Sequence, residues 1–337
     1  MVDIEAAWDE FIEFGDIDTT DLGDRKLSSR DEVPKASDIY ISTKTKIVYL
    51  NNMIDLNEMF WKLKIMPYDE HDQGIIKKQI KVISQSSEEL ACIKSKLSTY
   101  KYYNEFVITH LDQTQSDENI YKDVRKLTIG ISQKDLLSYR SKQKSAFYNC
   151  FVIIIRLLDD QNDTFREIHA KVFNTGKIEI PGVQNDAIFQ RACDYVLRLV
   201  NEYGTLKYSI DHAKTETILI NSNFQCGFCI NRQALFSILR KKYNLNVSFD
   251  PCSYPGIQCK YEIDNSKVSF MIFRTGSVLI VGKCEEDIIY KVYNYLKNIL
   301  YDEYSNICES YDTPMKKKEK TAKSRKQIIY LTIDSKN

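Results

Sequence analysis

Residues 254–300 read YPGIQCKYEIDNSKVSFMIFRTGSVLIVGKCEEDIIYKVYNYLKNIL, and an eroded copy of the same pattern stands within residues 147–202. KVFNTGKIEIPGVQNDAIFQRACDYVLRLV (171–200) runs parallel to MIFRTGSVLIVGKCEEDIIYKVYNYLKNIL (271–300), and the spacing from Phe173 to Gly182 equals that from Phe273 to Gly282. Each copy reads as a strand ending in Phe, a Gly turn, a second strand, another Gly and an amphipathic helix. A chain that carries one supersecondary unit twice can build a pseudo-symmetric domain around one continuous sheet.

Working outward, each repeat reads as strand, helix, four strands, helix. The first opens with IYISTKTKIVYL (39–50), whose alternation marks a half-buried strand, and NMIDLNEMFWKL (52–63), which switches to helical period with Asn52 as a candidate cap. The second opens with ETILINSNF (216–224) and NRQALFSILRKKY (231–243), followed by short strands with turns at Ser253–Gly256, Asp264–Ser266 and Thr275–Gly276. Residues 69–140 are polar and helix-prone and read as a mainly helical insertion in the first repeat. The expected organisation is an acidic arm (1–36), a first repeat (37–203) with that insertion, a second repeat (215–303) and a basic flexible tail (304–337).

The chain of 337 residues carries 47 basic and 47 acidic side chains, but the balance is uneven. Residues 1–24 hold nine carboxylates and no Lys or Arg, so the remainder carries a surplus of nine positive charges. A basic body with an acidic arm suits a nucleic-acid partner, and the arm's Trp8, Phe11 and Phe14 could let it mimic one. Nine scattered cysteines suit a reducing compartment. No apolar run approaches the roughly 20 residues that cross a bilayer, and the acidic N-terminus lacks the cationic region of a secretory signal.

Strand alternation sorts the second repeat into two faces. If helices cover Val268, Phe270, Ile272, Val278 and Ile280, then Met271, Phe273, Leu279 and Val281 stand on a face left open and apolar, which marks a binding surface. Such a face with a basic rim suits the DNA minor groove, where Phe wedges unstack base steps and lysines hold phosphates. The candidate wedge pairs are Phe273 with Tyr254, and Phe173 with Phe147 or Tyr148. The candidate phosphate contacts are Lys177, Lys260, Arg274 and Lys283.

IDNSKVSFMIFRTGSVLIVGKCEEDIIYKVYNYL (263–296) is similar to the second-repeat signature of the TATA-box-binding protein family, and YPGIQCKY resembles its Phe-Pro-Gly element with Tyr254 in place of the intercalating Phe. KVFNTGKIEIPG and ISTKTKIVYLNNMIDL carry a weaker likeness in the first repeat. The resemblance implies an α+β saddle: one curved antiparallel sheet, pseudo-twofold, with two helices per repeat on its convex face. It implies a factor that binds and bends AT-rich promoter DNA and recruits a transcription factor IIB-like protein and RNA polymerase, with no cofactor, no small-molecule substrate and no membrane. The insertion and the composition resemble the divergent versions of large nucleocytoplasmic DNA viruses, which implies action in the host nucleus or a cytoplasmic viral factory, or packaging in the virion.

The family's central Asn positions fall by register on Thr43 and Leu219, with Asn221 two residues further along the same face; Thr45 belongs to the same central group. Glu179 and Pro181 depart from the family pattern, and Lys171, one strand away, is placed to neutralise Glu179. These departures favour a second function, a protein-interaction scaffold that kept the saddle and lost specific DNA binding. Cys226 and Cys229, with Cys252 and Cys259, lack the two tight pairs of a structural zinc site. The four histidines form no spacing with a nucleophile, and no enzyme is expected.

Overall fold

The computed structural model describes residues 33–113, 120–137, 148–159 and 164–309. The acidic arm up to residue 32, Phe147 and the tail from residue 310 lie outside the described residues. The first half runs β1 (Tyr40–Leu50), α1 (Leu56–Lys62), β2 (Gly74–Ser84), α2 (Ser87–Leu97), β3 (Tyr103–Gln113), β4 (Ile120–Gly130), α3 (Gln133–Leu137), β5 (Cys150–Asp159), β6 (Thr164–Phe173), β7 (Lys177–Val183) and α4 (Asp186–Tyr203). The second runs β8 (Ile210–Gln225), α5 (Arg232–Lys241), β9 (Val247–Ser248), β10 (Ile257–Ile263), β11 (Ser266–Ile272), β12 (Ser277–Gly282), α6 (Glu286–Asp302) and α7 (Tyr304–Ile307).

All twelve strands form one antiparallel sheet in the order β3-β4-β2-β5-β6-β7-β1-β8-β12-β11-β10-β9. Outward from the β1–β8 seam, β7, β6, β5 and β2 on one side answer β12, β11, β10 and β9 on the other. The backbone repeats atom for atom at the turns. Gly176 and Gly276 each donate to the carbonyl of the preceding Phe, Phe173 or Phe273, at 3.0 Å. Ile54 N donates to Asn174 O at 2.9 Å, and Ile230 N donates to Arg274 O at 2.8 Å. Asp55 caps α1 through Glu58 N, as Asn231 caps α5 through Ala234 N; the cap is therefore Asp55 rather than Asn52.

The insertion differs from expectation. GIIKKQIKVIS is strand β2, a member of the repeat, so the extra material runs from α2 to α3, and its largest parts are the strands β3 and β4. Helix propensity lost to β-branched residues whose burial the sheet secures. β2 reads poorly as a strand because Lys77 and Lys78 are both buried, one on each face. Lys78 is 0% exposed and donates to Phe60 O (2.8 Å) and Leu63 O (2.7 Å), closing the C-terminus of α1, and to Tyr100 Oη (3.2 Å).

The long helices cover one face. α4 buries Ile188, Phe189, Ala192, Cys193, Val196, Leu199 and Val200 against Phe151, Ile153, Ile155, Val172, Ile178 and Ile180. α6 buries Ile288, Ile289, Val292, Leu296 and Ile299 against Val268, Phe270, Ile272, Val278 and Ile280. Each such side chain contributes roughly 1.5–3 kcal/mol of transfer free energy. α2 adds a third helix beside β2 and β4. Helix α3 lies on the opposite face, at the outer rim of the first repeat. There Gln133 N donates to Glu167 Oε1 at 2.9 Å, and Asp135 pairs with Lys77 at 2.7 Å. No described helix is long and apolar enough to cross a membrane.

Two outcomes follow from this packing. Gly276 has φ +83°, and a Cβ there would lie 2.3 Å from Phe228 O, so Gly276→Ala is expected to lower the urea-unfolding free energy by about 2 kcal/mol or more. Burial pushes the Lys78 ammonium down from 10.5 to about 8. The unfolded chain therefore holds more protons than the native state between about pH 8 and about pH 10.5. Across that window the stability of the wild type relative to Lys78→Met should rise with pH, by up to about 3 kcal/mol in denaturant titrations.

Candidate nucleic-acid interface

On the face opposite the long helices, the second repeat assembles Leu219 of β8, Met271 of β11 and Leu279 and Val281 of β12 into a separate apolar cluster, with Tyr254 and Phe273 packed against it. The register brings Leu279 beside Met271 on one side and Asn223 on the other, and Val281 beside Ser269 and Asn221. The Tyr254 and Phe273 rings lie 6.0 Å apart at 58°. Gly256 makes room for them, since a Cβ there would meet Tyr254 at 3.0 Å and Phe273 at 3.1 Å.

This face is not the open apolar platform that alternation implied. Leu219, Met271, Leu279 and Val281 are between 1 and 5% exposed. The two aromatic rings and the cross-strand partners Asn223, Ser269 and Gln258 close around them. The half-buried rings are the part that reaches solvent. Lys260 and Lys283 are exposed, Lys260 on β10 and Lys283 just past β12. Arg274 instead pairs with Glu309, Nε to Oε2 at 2.7 Å.

At the seam Thr43 pairs in register with Asn221, and Thr45 with Leu219. Asn221 Nδ2 donates to Thr43 Oγ1 at 3.1 Å, while its buried Oδ1 has no partner among the described residues. An orphan of that kind costs about 1–3 kcal/mol.

The first repeat fills the same positions with charge. The β6–β7 register opposes Lys171 to Glu179, where β11–β12 opposes Met271 to Leu279. Lys171 Nζ donates to Glu179 Oε1 at 2.9 Å, and both side chains are 14% exposed. Lys177 Nζ lies 3.6 Å from Glu179 Oε2 and 4.0 Å from the Phe173 ring centroid. Phe173 is buried. Tyr148 is 60% exposed and carries Lys81 over its ring at 3.3 Å, so among the described residues Tyr148 and Phe173 do not form the second aromatic pair expected of them. Phe147 lies outside the described residues.

A family model described as "Transcription factor TFIID (or TATA-binding protein, TBP)" matches residues 220–302. A TATA-box-binding protein-like protein of Acanthamoeba polyphaga mimivirus is 23% identical over 202 residues, covering 52% of this chain and 54% of that protein. The TATA-box-binding protein of Pyrobaculum calidifontis is 27% identical over 189 residues, covering 54% of this chain and 85% of its own. The chain is similar to TATA-box-binding proteins. The mimivirus likeness agrees with the viral character its insertion implies, and the family likeness supports a transcription-factor-like role. Among solved structures, Methanococcus jannaschii TBP aligns with 79% of this chain and 99% of its own at a TM-score of 0.41 and 14% identity.

The same sheet also carries lysines outside the candidate set. Lys122 and Lys126 of β4 share the face opposite the long helices with Lys81 of β2, while Asp123 and Arg125 turn to the other face, where Arg125 also pairs with Glu105 at 2.8 Å. Period-2 alternation in IYKDVRKLTIG carried that sorting, but it is legible only once the segment is known to be a strand. Burial pushes the Cys226 and Cys259 thiols up to about 12. Among the described residues no His, Cys, Asp or Glu group is placed to hold a metal ion.

A half-buried ion pair costs more to break than to replace. Lys171→Met alone should therefore destabilise the TATA-binding-protein-like fold by about 2 kcal/mol, and Lys171→Met with Glu179→Leu, which installs the second-repeat pair, should restore it in guanidinium titrations.

Proposed function

We propose that this chain is a transcription initiation factor that binds promoter DNA through the minor groove, bends it, and recruits a transcription factor IIB-like protein and RNA polymerase. The observation that carries the reading is the Tyr254–Phe273 ring pair seated on the Leu219–Met271–Leu279–Val281 floor. A pair of rings at the rim of a close-packed floor is a wedge with a rigid backing. Inserted between base steps, it replaces part of the lost stacking, and the backing keeps the rings from yielding. Lys260 and Lys283 supply charge for the phosphates beside it. The TATA-box-binding protein relatives support the same reading.

The contact is asymmetric in this reading. The second repeat provides the wedge, whereas the first presents Lys171, Lys177 and Glu179 where an apolar floor would lie. That ion pair and the closed apolar cluster favour the second function, a protein-interaction scaffold. A salt titration separates the two. Phosphate contacts make the logarithm of affinity fall linearly and steeply with the logarithm of salt, whereas a scaffold gives no salt-sensitive duplex binding.

Phe273→Ala is expected to abolish bending of an AT-rich duplex, read by end-to-end energy transfer, and to weaken binding by a few kcal/mol, because unstacking is no longer compensated. Intact bending in that variant would refute the wedge.

A further inference from the structure

We propose that Glu179 makes the first-repeat half of the interface read a G·C base pair, so that the pseudo-symmetric molecule binds a duplex in one orientation. The inference rests on the minor-groove reading above. In the minor groove, A·T and T·A pairs present only acceptors, adenine N3 and thymine O2, whereas a G·C pair adds the guanine N2 amine, a donor. An ionised carboxylate is acceptor-only, with about four lone-pair positions. Glu179 therefore repels the floor of an A·T pair and complements guanine.

The structure puts this acceptor where it can act. Glu179 lies on the face away from the long helices, paired in register with Ile47 of β1, with Ile178 and Ile180 turned into the helix-side core. Lys171 holds Oε1 at 2.9 Å, and Lys177 lies 3.6 Å from Oε2. The two ammonium groups fix the carboxylate and offset its repulsion by phosphates, while leaving lone pairs free for an incoming N–H. The second repeat has Leu279 at the matching position. Leucine offers a guanine amine nothing, so desolvating that amine there is unfavourable and the second half favours A·T. One half selects against the amine and the other for it, and the two halves cannot exchange places on a sequence that satisfies both.

The test uses wild-type protein and an A/T-only duplex in which a single G·C pair is moved along the site, with affinity read by fluorescence anisotropy. In one half, one position should bind about ten-fold tighter with G·C than with A·T. Inosine in place of that guanine, which lacks only the N2 amine, should return affinity to the A·T level. Lys171→Met with Glu179→Leu should erase the preference, so that the G·C-containing and A/T-only duplexes bind this variant with equal affinity. Tighter binding that survives inosine, or no preferred G·C position, overturns the inference and leaves the minor-groove reading standing. Failure to bind any duplex sinks both.

Discussion

The antiparallel seam between β1 and β8 is the contact on which the molecule depends. It joins two halves that each own a core, and it does so with main-chain hydrogen bonds whose register pairs Thr43 with Asn221 and Thr45 with Leu219. A slip of one residue would turn the helix-side Lys44 and Lys46 onto the other face and break their ties. Those ties are specific: Lys46 meets Asp186 at the start of α4, at 2.5 Å, and Lys44 meets Glu286 at the start of α6. One strand thus fixes both long helices through their N-termini, where a carboxylate is already favoured by the helix dipole. The β1–β8 register, the two helix positions and the symmetry of the turns are consequences of a single alignment.

Given that alignment, the same backbone site supports two chemistries. Met271 beside Leu279 and Lys171 beside Glu179 occupy corresponding rungs, and each is locally satisfied, one by apolar contact and the other by an ion pair. Neither choice alters the strand order, because the opposite face of each strand carries the core. The face away from the long helices was therefore able to diverge in one repeat without loss of the fold, and its divergence is information about the partner rather than about stability. The chain keeps a ring pair on an apolar floor in the second repeat, the segment that the family model matches.

Much of this was legible in the sequence, for reasons that differ by element. The Phe-x-x-Gly turn shared by the two repeats was readable because Gly176 and Gly276 sit at φ +82° and +83° with a carbonyl where each Cβ would stand, a constraint few other residues meet. The two faces of β11 and β12 were readable because Val268, Phe270 and Ile272 alternate without a bulge. β2 was hidden because a bulge at Ile76 interrupts its pairing with β5 and because Lys78, fully buried, breaks the apolar pattern. β3 and β4 were hidden because their surroundings supply what their composition lacks: Asp123, 1% exposed, is acceptable inside a strand only because Arg125 and His110 reach it at 2.6 and 2.7 Å.

Closure of the apolar cluster was the property that alternation could not give. Period 2 says which side chains share a face and nothing about how tightly they meet. Tightness came from Tyr254 and Phe273, which approach from a loop and a strand end that only the folded chain brings together, with Gly256 leaving the space beneath them. A floor that is already dense has little left to gain from contact with a groove, so its value to binding lies in stiffness. The rings it supports cannot sink, and in the proposed reading a wedge that cannot sink would transfer its full displacement to the base step it enters. On that argument the dense packing of Leu279 and Val281, which gives the groove a stiff apolar floor, is what would make the neighbouring aromatic pair effective.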